Sequence, residues 1–289
     1  MKISSLFQHH QLKPAWTYSA AGILWRIVFS RSNFILGEDR DTEKKEVSFF
    51  CLNASNGDVL WKEKTFGEKW WIGIEGVFHD KVFLHGFKKP DMPEHGKIIA
   101  IDLGTGKEIW RNTEYAFLYA AENRVVAYRD LFERRLYYEL DIATGEFIEE
   151  FNDPPYDLYE RKEQSHGRND FLFPRSLTLE EADYPIMKPI FERHGGGETI
   201  RGNVEYVRTA GCAVFNYHAL KDRMTGKEGE DLQNRLCVVE ESGGRQLFED
   251  LINVSTPAPV PDSFFVGDGI VYYVKERRTL TALPLPRPS

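Results

Sequence analysis

The sequence predicts an all-β protein, a five-bladed β-propeller whose N-terminal strand closes the last blade. Three observations predict it. A strand, glycine turn and strand recur in "LNASNGDVLW" (Leu52–Trp61), "IDLGTGKEIW" (Ile101–Trp110) and "LDIATGEFIE" (Leu140–Glu149), and, one residue longer before the turn, in "VVEESGGRQLF" (Val238–Phe248). Each of these hairpins follows a second pair of strand-like runs. The turn glycines are 49 residues apart from Gly57 to Gly106 and 39 apart from Gly106 to Gly145. Four short antiparallel strands every 40 to 50 residues or so is the period of a propeller blade.

Taken in order, "LKPAWTYSA" is a lone strand around Trp16 that matches "GDVLWKEKT" around Trp61. "GILWRIVFSRSNFILGE" and "SFFCLNASNGDVLWKEK" make the first full unit. "WWIGIEGVFHDKVFLHGF" begins the second, which ends in "KIIAIDLGTGKEIWRN". There the Ile-rich run is a strand facing a core, and "GTG" supplies the positive φ of a tight turn. "AFLYAAENRVVAYRD" and "LYYELDIATGEFIEEF" make the third unit; "VEYVRTAGCAVFNYHAL" and "RLCVVEESGGRQLFEDL" make the fourth. "SFFVGDGIVYYVKERRTLTALPL" supplies three strands of a fifth, and the Trp16 strand supplies its fourth, which removes an open sheet edge. Trp16, Trp61, Trp110, Phe248, Asp102, Gly106, Asp141 and Gly145 are read as structural repeat positions.

The alternative is six blades. Gly145 to Gly244 spans 99 residues, about twice the repeat. Yet 152–200 contains five prolines and a triple glycine and lacks the paired strands. Proline is poorly tolerated in central strands. The segment is therefore read as an insertion between blades 3 and 4, carrying a hairpin or short helix, within a single domain over 1–289.

Composition sets outer bounds. Hydrophobic residues at 42% and aromatics at 13% describe a globular chain. A net charge of −8 speaks against phosphate-backbone binding, so no nucleic acid and no anionic membrane surface is expected as partner. Cys51, Cys212 and Cys237 sit in apolar runs without zinc or disulfide spacing, and read as buried hydrophobes. No apolar run suits a signal peptide or a membrane span, so a cytoplasmic monomer is expected.

"AIDLGTGKEIW" resembles the blade motif of the pyrroloquinoline-quinone-dehydrogenase-like and WD40-like propellers, A-x-D-x-x-T-G-x-x-x-W. Asp102, Thr105, Gly106 and Trp110 match it. Asp141, Thr144 and Gly145 match in part, with Glu149 in place of Trp, and Asn53, Gly57 and Trp61 remain of it in the first unit. The resemblance implies architecture over about four blades. The quinoproteins have eight blades, a calcium site and often an adjacent cysteine pair, so no cofactor is implied here. The pattern also resembles uncharacterised bacterial propeller-like families of this length.

The repeat assigns the short turns to one face and the long connections to the other. The long face comprises 37–46, 86–97, 218–234 and the 152–200 insertion, which is the candidate lid. Trp70, Trp71, His85, His194 and His218 are its candidate contacts. Arg26, deeper, and Arg208 are further ligand-binding candidates, Arg208 also placed to neutralise Glu205. The eight histidines, His9, His10 and His95 among them, show no metal-ligand spacing, so no metal is expected. "HGGGE" at 194–198 lacks the Lys of a phosphate loop and reads as a hinge. The leading expectation is a non-catalytic module binding a protein, peptide or small ligand. The alternative is a hydrolase or lyase acting on glycans, using the inner-strand carboxylates Glu75 and Glu205.

Overall fold

A computed structural model describes residues 11–89, 92–154, 170–195, 200–220 and 231–286. His9 and His10, residues 155–169 and 196–199 of the insertion, most of "HGGGE", and 221–230 lie outside the described residues. The chain divides into two compact units, Ala20–Asn169 and Met1–Ser19 with Asp170–Ser289. Strand β1 (Trp16–Ser19) opens the described chain and belongs to the second of these.

The Ala20–Asn169 unit holds three four-stranded antiparallel sheets, each a meander in chain order. The first is β2 (Ile23–Phe29), β3 (Phe34–Asp41), β4 (Glu46–Asn53) and β5 (Val59–Lys64). The second is β6 (Ile72–Phe78), β7 (Lys81–Lys89), β8 (Met92–Asp102) and β9 (Glu108–Asn112). The third is β10 (Ala116–Ala121), β11 (Arg124–Asp130), β12 (Arg135–Asp141) and β13 (Phe147–Phe151).

The second sheet is covered on both faces, which explains why its strands read as continuous apolar runs. Val82, Leu84, Ile99 and Ile101 pack with Leu36, Phe49 and Cys51 of the first sheet. Phe83, Ile98 and Ala100 point the other way, to Val125, Ala127 and Tyr138 of the third. Strand alternation sends neighbours to opposite faces. The first strands lie beside one another, β6 touching both β2 and β10.

The turn motif has a double purpose. Asp102 accepts the backbone N–H of Thr105 at 2.7 Å and its hydroxyl at 2.5 Å, and Asp141 likewise accepts from Ala143 and Thr144, so each carboxylate folds its own turn. The glycine that follows seats a tryptophan of the preceding sheet. Trp61 donates its indole N–H to the Leu103 carbonyl and lies against Gly106; Trp110 donates to Ile142 and lies against Gly145.

In the other unit, the fourth sheet runs β14 (Arg175–Ser176), β15 (Ile200–Thr209), β16 (Cys212–Leu220), β17 (Leu232–Glu240) and β18 (Gln246–Thr256). The fifth runs β19 (Phe264–Gly267), β20 (Ile270–Lys275) and β21 (Thr279–Pro284), with β1 paired antiparallel to β21, Trp16 opposite Ala282. One face of the fourth sheet, with Val214, Leu236 and Val238, packs on Val271 and Tyr273 of the fifth. The other face, with Ala213, Phe215 and Tyr217, is covered by helix α1 (Tyr184–His194) through Met187 and Ile190. The described end of the insertion is thus a packed helix and an added edge strand rather than a free lid. Proline at its start suits a helix entry.

Cys51, Cys212 and Cys237 are buried and free, and burial pushes the Cys51 thiol up to about 12. Among the described residues no helix is long and apolar enough to cross a membrane.

Candidate functional site

Two expected long loops are not loops. Over 37–46, β3 runs to Asp41 and β4 starts at Glu46, leaving a four-residue turn. Over 86–97, β7 runs to Lys89 and β8 starts at Met92. His85 therefore lies within a strand, and His95 lies on β8 instead of in a loop. Cross-strand pairing continues through both hairpins. The chemistry of the Ala20–Asn169 unit collects beside this extended pairing.

Strand β6 is an edge, so its outward backbone groups need partners from elsewhere. The first sheet supplies them. Glu38 accepts the N–H of Ile74 at 2.7 Å. Arg40 donates to the carbonyls of Trp70 (2.9 Å) and Ile72 (2.6 Å), and its Nε to Glu38 at 2.8 Å. Arg26 donates to the carbonyls of Ile74 (2.6 Å) and Glu75 (3.3 Å). Glu38 and Arg40 are both buried, a geometry in which each charge depends on the other. Arg26 is thereby a positioning group for the strand that carries Glu75.

Glu75 is the extra residue of a β-bulge, since Ile74 pairs with Leu84 and Gly76 with Phe83. Bulges re-aim a side chain. The equivalent bulges hold Trp25 in the first sheet and Leu118 in the third, so only the second sheet places a carboxylate there. Glu75 Oε1 lies 2.5 Å from Nδ1 of His95 and 3.3 Å from Nδ1 of His85. The two imidazoles are stacked, centroids 3.6 Å apart and planes 6° from parallel. Phe87 stands edge-on to both rings, and Trp71 edge-on to Phe87. Burial pushes the Glu75 carboxyl up, but the two imidazoles of His85 and His95 beside it together outweigh that and hold it at about 2. Glu75 is thus an acceptor in the folded chain. The side chain of His95 is 31% exposed, so the cluster opens to solvent.

Gly73 makes room for this packing. A Cβ there would fall 3.0 Å from the His85 ring and 3.1 Å from Glu38 Oε1. Trp70 lies under two cations, Arg40 at 5.1 Å and Lys45 at 4.8 Å from its ring centroid. Arg40 also sits 5.7 Å from the ring of Trp25, which is 59% exposed; Trp71 is 37% exposed. A cavity of about 640 Å³ lies elsewhere in this unit, lined by Gly22, Asp39, Lys44, Ser48, Thr65 and Lys69 among others, and includes none of the cluster.

The other expected contacts lie in the second unit and are engaged structurally. His194 ends α1 and meets the Gly244 carbonyl at 2.9 Å and Gln246 at 3.2 Å, tying the helix to the β17–β18 turn. His218 is buried and accepts the N–H of Val260 at 3.0 Å; burial lowers its basicity. Arg208 was expected to face Glu205 but grips Glu241 through two bonds, 2.8 and 2.9 Å, and Asp183 at 2.5 Å. Glu205 instead accepts the N–H of Asp262 at 3.3 Å, and burial raises its carboxyl. Glu75 and Glu205 thus belong to different units, each with its own partners.

Trp25, Glu38 and Arg40 are members of the patch that sequence reasoning missed, and His95 is a fuller one than expected. A signal for His95 was present: "HGFKKPDMPEHG" carries a His–Gly pair on each side of a proline-containing turn.

Fold and cluster together define an all-β repeat protein of four- and five-stranded antiparallel sheets, with a carboxylate–imidazole cluster in its second sheet. The family described as "Domain of unknown function (DUF4905)" matches residues 29–110, the stretch that contains the cluster. No curated protein matches the chain. Similar solved structures include BamB from Moraxella catarrhalis (12% identity, 94% of this chain and 80% of that one, TM-score 0.34). Another is a member of the DUF4221 family from Bacteroides vulgatus (8% identity, 97% and 100%, TM-score 0.32). A third is Kuenenia stuttgartiensis hydrazine synthase (10% identity, 91% and 74%, TM-score 0.30).

Proposed function

We propose that the chain is a five-bladed propeller, each sheet a blade, acting as a binding module for a small ligand or peptide. The contact surface is the patch formed by Trp25, Arg40, Trp70, Trp71, Phe87 and the Glu75 cluster. One observation carries the reading: exposed indoles at Trp25 and Trp71 stand over a framework whose members are held by hydrogen bonds and ring contacts. Exposed, rigid aromatics offer large contact area at little entropic cost. Lys45 over the Trp70 ring adds positive charge, which favours polar or anionic groups on the ligand.

The test is a tryptophan-fluorescence titration of glycans and peptides against the full chain in the presence of EDTA. Trp25→Ala and Trp71→Ala are each expected to weaken binding about tenfold or more while leaving the melting temperature within a few degrees. A ligand whose affinity ignores both substitutions would contradict this surface.

A further inference from the structure

We propose that Glu75, His85 and His95 bind a divalent first-row transition-metal ion, with Zn²⁺ the natural probe. The inference deepens the reading of the same patch as a binding surface, yet stands on the cluster's own geometry. Among the described residues, one ligand atom from each of these three lies within 4.8 Å of the others. Of the separations from Glu75 Oε1, the 3.3 Å to His85 is already at what coordination requires and the 2.5 Å to His95 falls short of it. Zinc bonds of about 2.0–2.1 Å in a tetrahedron set ligand atoms roughly 3.3–3.4 Å apart. His95 and Glu75 need open by less than about 1 Å for an ion to replace their hydrogen bond.

A second observation points the same way. His85 is only 7% exposed, and its Nδ1 is buried without a hydrogen bond. The 3.3 Å approach to Glu75 lacks the angle for one. A buried, unpaired ring nitrogen costs free energy. An ion between Nδ1 and the carboxylate would satisfy it. Two imidazoles and one carboxylate suit zinc, iron(II) and related ions, and three protein ligands leave a position open. That position would face the solvent side on which His95 is partly exposed, where a ligand carboxylate, hydroxyl or water could complete the shell.

The purified full chain, treated with EDTA and then dialysed, is titrated with Zn²⁺ by calorimetry and with Co²⁺ by visible absorption. His9→Gln and His10→Gln are present throughout to remove an adjacent competing pair. One equivalent is expected, with the Co²⁺ absorption of a nitrogen- and oxygen-ligated ion. Glu75→Gln and His95→Ala are each expected to reduce affinity about 100-fold, while His79→Asn, on an exposed turn, leaves it unchanged. Circular-dichroism melts establish that each variant is folded before it is titrated. No saturable binding, or binding indifferent to both cluster substitutions, would overturn the proposal. Glycan or peptide binding is read separately in EDTA, so loss of the metal site and loss of the ligand surface are distinguishable.

Discussion

The indole of Trp61 rests on the α-carbon of Gly106: its N–H bonds the Leu103 carbonyl, 42 residues along the chain, at 2.8 Å, and a Cβ on Gly106 would fall 2.7 Å from the ring. Trp110 repeats the relation with Gly145, where the added carbon would fall 2.6 Å away. The glycine and the tryptophan of the motif thus serve adjacent sheets. Gly106 has φ +65°, so it meets both a conformational and a packing demand.

Gly106→Ala separates those demands when compared with Gly269→Ala. Gly269 has φ +71° but nothing within 4 Å of an added Cβ. Its substitution should cost only the left-handed conformation, about 1–2 kcal/mol. Gly106→Ala should cost about 1–3 kcal/mol more through collision with Trp61. Denaturant unfolding of both variants checks this; equal losses would refute the interlock.

Trp110→Ala should destabilise by about 3–5 kcal/mol, through lost burial and the Ile142 carbonyl left without its donor. The midpoint of urea unfolding reports it. A loss under about 1 kcal/mol would mean the neighbouring sheets do not depend on the ring.

Glu38→Gln should cost about 3–5 kcal/mol, because it leaves the buried Arg40 guanidinium without its counter-charge. The double variant Glu38→Met with Arg40→Met should cost less than the sum of Glu38→Met and Arg40→Met made singly. A double-mutant cycle measures that coupling, and additivity would refute it.

His218 makes stability depend on pH. Its folded pKa is lowered by burial from the ordinary 6.5, and its Nε2 accepts a hydrogen bond only when neutral. As pH falls through about 6.5 the unfolded chain takes up the proton before the folded one does. The contribution is therefore complete above that value and lost below it, by at most about 1.4 kcal/mol per pH unit. Stability of wild type and His218→Gln, measured by urea unfolding from about pH 7.5 to 5.5, should differ in slope, the variant being flatter. Parallel curves would show that His218 titrates alike in both states.

Much of the sheet pattern was legible because it is written locally. The turns around Asp102 and Asp141 close on their own side chains, and alternation about Trp61 and Trp110 follows from strand geometry. The Trp16 strand could be matched to the last sheet because that sheet lacked a partner. The cluster was not legible for equally physical reasons. The charged residues of 37–46 and 86–97 have the composition of loops, yet pairing across the hairpins holds Glu38 to Asp41 and Glu94 to Lys97 in strands. The bulge that aims Glu75 arises from register between β6 and β7, which no single strand encodes. Arg40 appears as a surface charge in sequence, and only the unpaired edge of β6 explains its burial. His194, His218 and Arg208 share residue types with a binding site, but their partners are turn carbonyls, a loop N–H and nearby carboxylates.

The most direct measurement is an anomalous difference map at the zinc absorption edge, from crystals of the full chain grown with Zn²⁺. The account expects one strong peak about 2.0–2.2 Å from a Glu75 carboxylate oxygen and a ring nitrogen of each of His85 and His95. No peak at that point, or a fully hydrogen-bonded His85 with the ion bound elsewhere, would contradict it.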